Sequence, residues 1–212
     1  MITLHTWTTP NGRKPLIMLE ELGVPYRIAP VNLAEHAQFR PEFLAISPNN
    51  KIPALVDEEA DGGPLAMFES GAILTCLAER YGRLLPAQGP ARYQVLTWLH
   101  WQIGGVGPMF GQLGSFARQG NNADATAHFV QEAERLLGVL EGQLARADYL
   151  AGDEYSIADI ALYPWIAAAN EKLGPQLGET LAGKTALQRW LKLVGERPAV
   201  RKAMAWQGTP QG

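Results

Sequence analysis

The chain has 212 residues, 47% of them hydrophobic and 18% charged, with a formal net charge of -3 and a pI near 5.8. That length carries one large domain or two small ones, with enough apolar content to bury a core. The acidic balance and the lack of any useful basic run exclude nucleic acid and anionic membrane as main partners, since both need a basic face.

Pro10, Asn11, Gly12, Arg13 and Lys14 interrupt the start of the chain, so no secretory signal core is expected, and no later apolar run approaches membrane-spanning length. A single cysteine, Cys76, cannot close an internal disulfide, which fits a reducing compartment and a cytoplasmic protein.

In chain order, Ile2 to Thr6 alternates as a first strand. Leu16, Met18, Leu19 and Leu22 fit a helix that stops at Gly23, with Pro25 beyond. Proline is tolerated in the first helical turn, so Pro15 places the helix start near Asn11 to Arg13 and leaves Thr9 and Asn11 at or just ahead of it. Tyr26 to Val31 reads as a second strand and Arg40 to Leu44 as a short helix. After a Pro48 loop, Pro53 stands where it can open a strand without needing a ladder donor, and an X-Pro bond there can be cis at modest cost. A turn, another strand from Leu65, and a helix from Glu69 to about Tyr81, stopped by Gly82, complete a mixed four-stranded sheet with helices on both faces.

From 83 to 89 the composition is that of a linker. Beyond it no strand is expected. Arg92 to Gln119 and Ala123 to Ala145 read as long helices that should pair. Glycines 104, 105, 107 and 111, with Pro108, weaken the first of them by about 1 kcal/mol per glycine. Two explanations stand open: a kink for close helix approach, across a dimer axis for example, or a widened cleft. Ser156 and Asp159 form a capping box, with Tyr155 and Ile160 as its hydrophobic staple, at the start of an apolar helix through Trp165. Thr185 to Glu196 gives a last helix, ended before Pro198, and the tail beyond Trp206 should fray. The domains expected are 1–82, a linker 83–89, and an α-helical domain 90–212.

The stretch Ser47 to Ile73 carries the chemistry. The backbone of Ile52, beside a proline that can be cis, offers an N–H and a C=O to an extended peptide by strand addition. Ser70, at a helix start, suits a carboxylate, and Glu69 suits an ammonium group beside it, so together they read one free amino acid head. Alone, Glu69-Ser70-Gly71 is an ordinary helix start, and Thr9 and Asn11 are ordinary turn and cap residues. Their conjunction, in this order, lifts the ligand reading above the bland one. Cys76 is expected to be a small buried hydrophobe. The histidines at 5, 36, 100 and 128 lack metal-ligand spacing, so no metal is expected.

Asn-Lys-Ile-Pro-Ala-Leu followed by Phe-Glu-Ser-Gly-Ala-Ile resembles the glutathione-binding half of a glutathione transferase, and the likeness covers nearly the whole chain. Thr9-Pro10-Asn11-Gly12 is similar to the first loop of bacterial members known for glutathione-dependent disulfide reduction. The resemblance implies a thioredoxin-like N-terminal domain followed by an α-helical C-terminal domain. It also implies glutathione as cosubstrate, a small disulfide or electrophile as second substrate, and a homodimer. The loop where a thioredoxin carries Cys-x-x-Cys holds no thiol here, so the sulfur comes from the ligand.

Thr9, Asn11 and free helix N–H groups then favour its thiolate. Ile52 and Pro53 form the peptide edge, Glu69 and Ser70 hold the γ-glutamyl head, and the resemblance assigns Gln38 and Lys51 to the glycyl end, with Asn50 as a substitute. Conjugation to electrophiles, peroxide reduction and a non-enzymatic interaction module are the alternatives.

Overall fold

Alternation at the start of the chain becomes β1 (Ile2–Thr6), with Ile2, Leu4 and Thr6 buried on one face and Thr3 and His5 on the other. In the computed structural model, which describes residues 1–209, β1 pairs in parallel with β2 (Tyr26–Pro30). On its other side β3 (Ala54–Asp57) and then β4 (Leu65–Phe68) run antiparallel, giving a mixed sheet of order β2-β1-β3-β4.

Thr9 caps α1 (Pro10–Leu22), its hydroxyl accepting the Gly12 N–H at 3.2 Å, and Gly23 closes the helix at φ 69. The expected start between Asn11 and Arg13 is one to three residues late. Pro10 takes the first helical position, where its missing N–H costs nothing, and Pro15 falls in the second turn, removing the donor to one carbonyl, that of Asn11. The Thr6 hydroxyl donates to the neighbouring Gly12 carbonyl at 2.9 Å. A side chain at Gly12 would collide with the Trp7 carbonyl oxygen, so the start of α1 sits closer to the end of β1 than any larger residue permits.

Two 3-10 turns, Leu33–Glu35 and Ala37–Phe39, precede α2 (Pro41–Leu44), which was expected where the turns were not. α3 (Ser70–Tyr81) ends at Gly82 with φ 61. Its inward stripe is Ile73, Leu74, Leu77 and Ala78. Cys76 lies on the flank of that stripe and is half-buried, not fully buried as expected. Burial and Glu79 push its thiol pKa up, which keeps it protonated. One sheet face packs on α1 and α3. The other carries Ala54 with Val31, Ala37, Phe43 and Ile52, and Trp7 and Phe68 lie against them. This is a thioredoxin-like unit.

Residues 84–196 form a second unit by themselves. α4 (Gly89–Trp101) runs through a π-helical turn, Gln102–Val106, into α5 (Gly107–Gln119), which pairs with α6 (Ala123–Leu144) as expected. α7 (Ile157–Lys172), α8 (Gly174–Ala182) and α9 (Thr185–Gly195) follow. The glycine-rich break is a widened turn inside one continuous helical path. A Cβ at Gly107 would stand 3.2 Å from the Gln102 side-chain nitrogen and 3.5 Å from the Trp165 indole of α7, and one at Gly111 would stand 3.5 Å from the same indole, an ordinary contact distance.

The capping box is present, and its acid does more than cap. Asp159 accepts from the Leu150 N–H at 3.0 Å, the Ser156 N–H and hydroxyl at 3.1 Å, and the Trp190 indole at 2.9 Å. Burial pushes its carboxyl pKa up while these donors pull it down.

Residues 197–209, expected in the helical domain 90–212, group by their contacts with the first unit. There α10 (Pro198–Ala205) packs on α1. Arg197 grips Glu21 at 2.6 and 2.8 Å, Lys202 meets Glu20 at 2.9 Å, and Arg13 donates to the Ala203 carbonyl at 2.5 Å. Trp206 is buried under the Arg13 guanidinium and edge-on to Trp7, and its indole donates to the Thr209 carbonyl. The tail beyond Trp206, expected to fray, has no regular secondary structure over 207–209 and keeps that one bond at Thr209; residues 210–212 lie outside the described residues.

Candidate functional site

Loop chemistry places Ile52, its side chain buried in the cluster around Ala54, along a cleft of the first unit. The buried Ser47 hydroxyl donates to the Lys51 carbonyl at 2.9 Å, and Asn50, at φ 48, donates its N–H to the Ser47 carbonyl at 2.9 Å. The Ile52-Pro53 bond is cis, and Ile52 makes no backbone hydrogen bond among the described residues. Both of its main-chain groups stay available just ahead of β3.

Asn11, Asn49, Lys51, Ile52, Pro53, Phe68, Glu69 and Ser70 line one cleft. Asn11 comes from the first turn of α1, the next four from the loop, and the last three from the passage of β4 into α3. Glu69 holds φ 72 and ψ 111, a conformation that costs a side-chain-bearing residue about 1–3 kcal/mol and that clusters at ligand sites. It stands as N-cap of α3 without a side-chain cap bond, and Ser70 follows, buried, as the first helical residue. The free N–H groups of a helix start thus meet an acid at the same cleft.

Lys51 and Glu69 are exposed members of this set and supply one charge of each sign. A larger hollow of about 500 Å³ in the second unit, between α5, α6 and α8, mixes Phe116, Val130 and alanines with Asn122, Thr126, Gln131, Glu134 and Gln176 and holds no cationic side chain in its lining.

Two expected residues lie outside the cleft lining. Thr9 is the cap of α1, two residues before Asn11. Accepting the Gly12 N–H leaves its hydroxyl proton available to donate. Gln38 sits in the turn Ala37–Phe39, its Oε1 buried without a hydrogen-bond partner among the described residues. Asn50 shapes the loop and is replaced at the cleft by Asn49, which the sequence reading did not select.

Lys14 was also missed. It is 1% exposed, with Nζ 3.3 Å from the Ser70 Oγ. Burial lowers its pKa to about 7, and the Glu69 carboxylate pulls it back upward. Its signal was spacing: Lys14 falls three residues after Asn11 and four before the buried Met18, on the inward side of the helix. Among the described residues no group of His, Cys, Asp and Glu is placed to hold a metal ion, and no helix is long and apolar enough to cross a membrane.

A thioredoxin-like unit followed by an α-helical unit defines the fold class. Residues 8–80 match the model of the glutathione S-transferase N-terminal domain and 106–198 that of the C-terminal domain. The chain belongs to the glutathione S-transferase family.

Among curated relatives it is 44% identical to the disulfide-bond oxidoreductase YfcG of Escherichia coli, over 96% of this chain and 94% of that one. It is 41% identical to YghU of the same organism, also a disulfide-bond oxidoreductase, over 95% and 73%. A glutathione transferase family member from Pseudomonas fluorescens with two glutathione bound superposes with a TM-score of 0.92 at 43% identity, covering 96% of this chain and 92% of that one. One from Pseudomonas putida, with one glutathione disulfide bound per subunit, gives a TM-score of 0.92 at 42% identity over 96% and 90%.

Proposed function

We propose that this protein binds glutathione in the cleft of its first unit and uses the bound thiolate to reduce small disulfides. Convergence of Asn11, Ile52, Glu69 and Ser70 on one cleft, from three separate parts of the chain, carries this reading. The Ile52 main chain pairs with the cysteinyl residue of the tripeptide. Ser70 and the head of α3 take the γ-glutamyl carboxylate, Glu69 takes its ammonium, and Lys51, with Gln38 beyond the lining, serves the glycyl end. Thr9, Asn11 and the N–H groups at the start of α1 donate to the sulfur. Each unit by which they lower the thiol pKa is worth about 1.36 kcal/mol of preference for the anion.

The thiolate attacks one sulfur of the disulfide, forming a glutathione mixed disulfide and expelling the other half as a thiolate that takes a proton from water. A second glutathione thiolate attacks the mixed product at the glutathione sulfur, yields oxidised glutathione and frees the second half. Two tripeptides thereby replace a Cys-x-x-Cys pair. The likeness to two disulfide-bond oxidoreductases, and to structures holding two glutathiones or one glutathione disulfide, supports this order of events.

The same thiolate also suits conjugation or peroxide reduction. Turnover of 2-hydroxyethyl disulfide is expected to exceed that of chlorodinitrobenzene, and activity with the latter alone would hand the site to conjugation. Calorimetry with millimolar glutathione and no binding heat would leave an interaction module instead.

A further inference from the structure

Two neighbouring cations of α1 are buried and held in different ways. Arg13 is fixed by the chain's own later residues, donating to the Ala203 carbonyl and lying over Trp206. Lys14 reaches the Ser70 hydroxyl, so its ammonium stands one hydroxyl behind the wall of the cleft. Glu69 is a charged group in electrostatic reach of it.

Other charges on the elements packed against α1 are turned elsewhere. From α10, Arg197 holds Glu21, Lys202 holds Glu20 and Arg201 is exposed. From α3 and its end, Arg80 pairs with Asp57, Glu79 bears on Cys76, and Arg83 donates to the Leu22 carbonyl. On β1, His5 lies on the opposite sheet face against Phe43.

We infer that Lys14 is the counter-charge of the head-group site: a carboxylate docked on Ser70 at the head of α3 draws a proton onto Lys14, so the cleft selects a free α-carboxylate and releases it as pH rises. This rests on the head-group role proposed above for Glu69 and Ser70. An opposite charge within about 4–6 Å shifts a titrating group by about 1–3 units toward its charged form. Lys14, lowered to about 7 by burial, is largely neutral at pH 8 and largely charged at pH 6. The bound carboxylate therefore draws in close to one proton at the higher pH and little at the lower. Affinity then falls up to about tenfold per pH unit between the free and bound values.

The probe is S-methylglutathione, whose blocked sulfur cannot release a proton that would mask the uptake. Calorimetric titration in Tris and in HEPES, buffers with different ionisation heats, counts the protons. Uptake near one proton is expected at about pH 8 and near none at about pH 6. Lys14→Arg, whose charge does not titrate, should bind without uptake and with a pH-flat affinity, and an analogue with the α-carboxylate converted to amide should draw no proton.

Wild-type binding without uptake at the higher pH, or uptake that persists in Lys14→Arg, overturns the role of Lys14 and leaves the head site standing. No binding of the probe at millimolar concentration overturns the head site and this inference together. Lys14→Met should bind about tenfold more weakly at the lower pH. If that variant fails to fold, the wild type and Lys14→Arg give the answer.

Discussion

Each unit hides an ionisable side chain, Lys14 at 1% exposure in the first and Asp159 at 0% in the second, and the two are employed in opposite ways. Both oxygens of Asp159 are taken by four donors from its own unit, so its charge is spent on joining the loop before α7 to α9. Lys14 touches the Ser70 hydroxyl, and Ser70 lines a cleft. Burial alone does not separate a structural charge from a ligand-directed one. The location of the partner does.

The largest expected effect is on the structural side. Asp159→Ala strands four donors and should cost about 3–5 kcal/mol in denaturant unfolding, with Asp159→Asn costing less because it can still accept from Leu150 and Trp190. A loss no greater than that of a surface substitution would erase the contrast.

Lys14 should show itself through pH. Its folded pKa lies below its unfolded value, so between about 7 and 10 the unfolded chain binds more protons and stability rises with pH, by up to about 1.4 kcal/mol per unit. Below that window the contribution is flat. The unliganded wild type should show this slope in chemical denaturation, and Lys14→Met should lose it.

Glu69→Gly sharpens the comparison from the ligand side. Relief of the positive φ should raise folding stability by about 1 kcal/mol, while loss of the carboxylate weakens glutathione binding about tenfold or more. Gain and loss together, read by denaturation and calorimetry on one variant, mark a residue strained for binding.

The smallest effect on binding is expected at Thr9→Ala, which removes a helix cap worth about 0.5–2 kcal/mol and, if the proposed function holds, one donor to the sulfur. Spectroscopic titration of bound glutathione should show its thiol pKa raised by about one unit, and Thr9→Ser should restore both cap and pKa. A Thr9→Ala variant with unchanged thiol pKa would leave Thr9 a cap alone.

What was legible in the sequence was written in local chemistry. Gly23 and Gly82 stop helices by adopting positive φ, Ser156 and Asp159 start one, and the Asn-Lys-Ile-Pro and Phe-Glu-Ser pieces of the cleft carry their own signals. What was hidden depended on distant partners. Pro198 reads as a stop, yet it opens α10 from a first-turn position. Without α10 the outer side of α1 looks solvated, so the burial of Arg13 could not be foreseen, and that of Lys14 needed the register of α3 against α1. Glu69 gives no sign of its positive φ, because no glycine or asparagine stands there. Asn49 rather than Asn50 reaches the cleft because of how the Ser47 loop closes, a matter of one residue of turn geometry.

The covering of α1 by α10 has a consequence for biosynthesis. Residues 1–83 leave the ribosome before residues 197–209, which hold the partners of Arg13 and Glu21 and the indole that meets Trp7 edge-on. The first unit must therefore wait for the whole intervening helical unit before its last surface closes, and a stalled nascent chain would expose that surface to chaperones in the meantime.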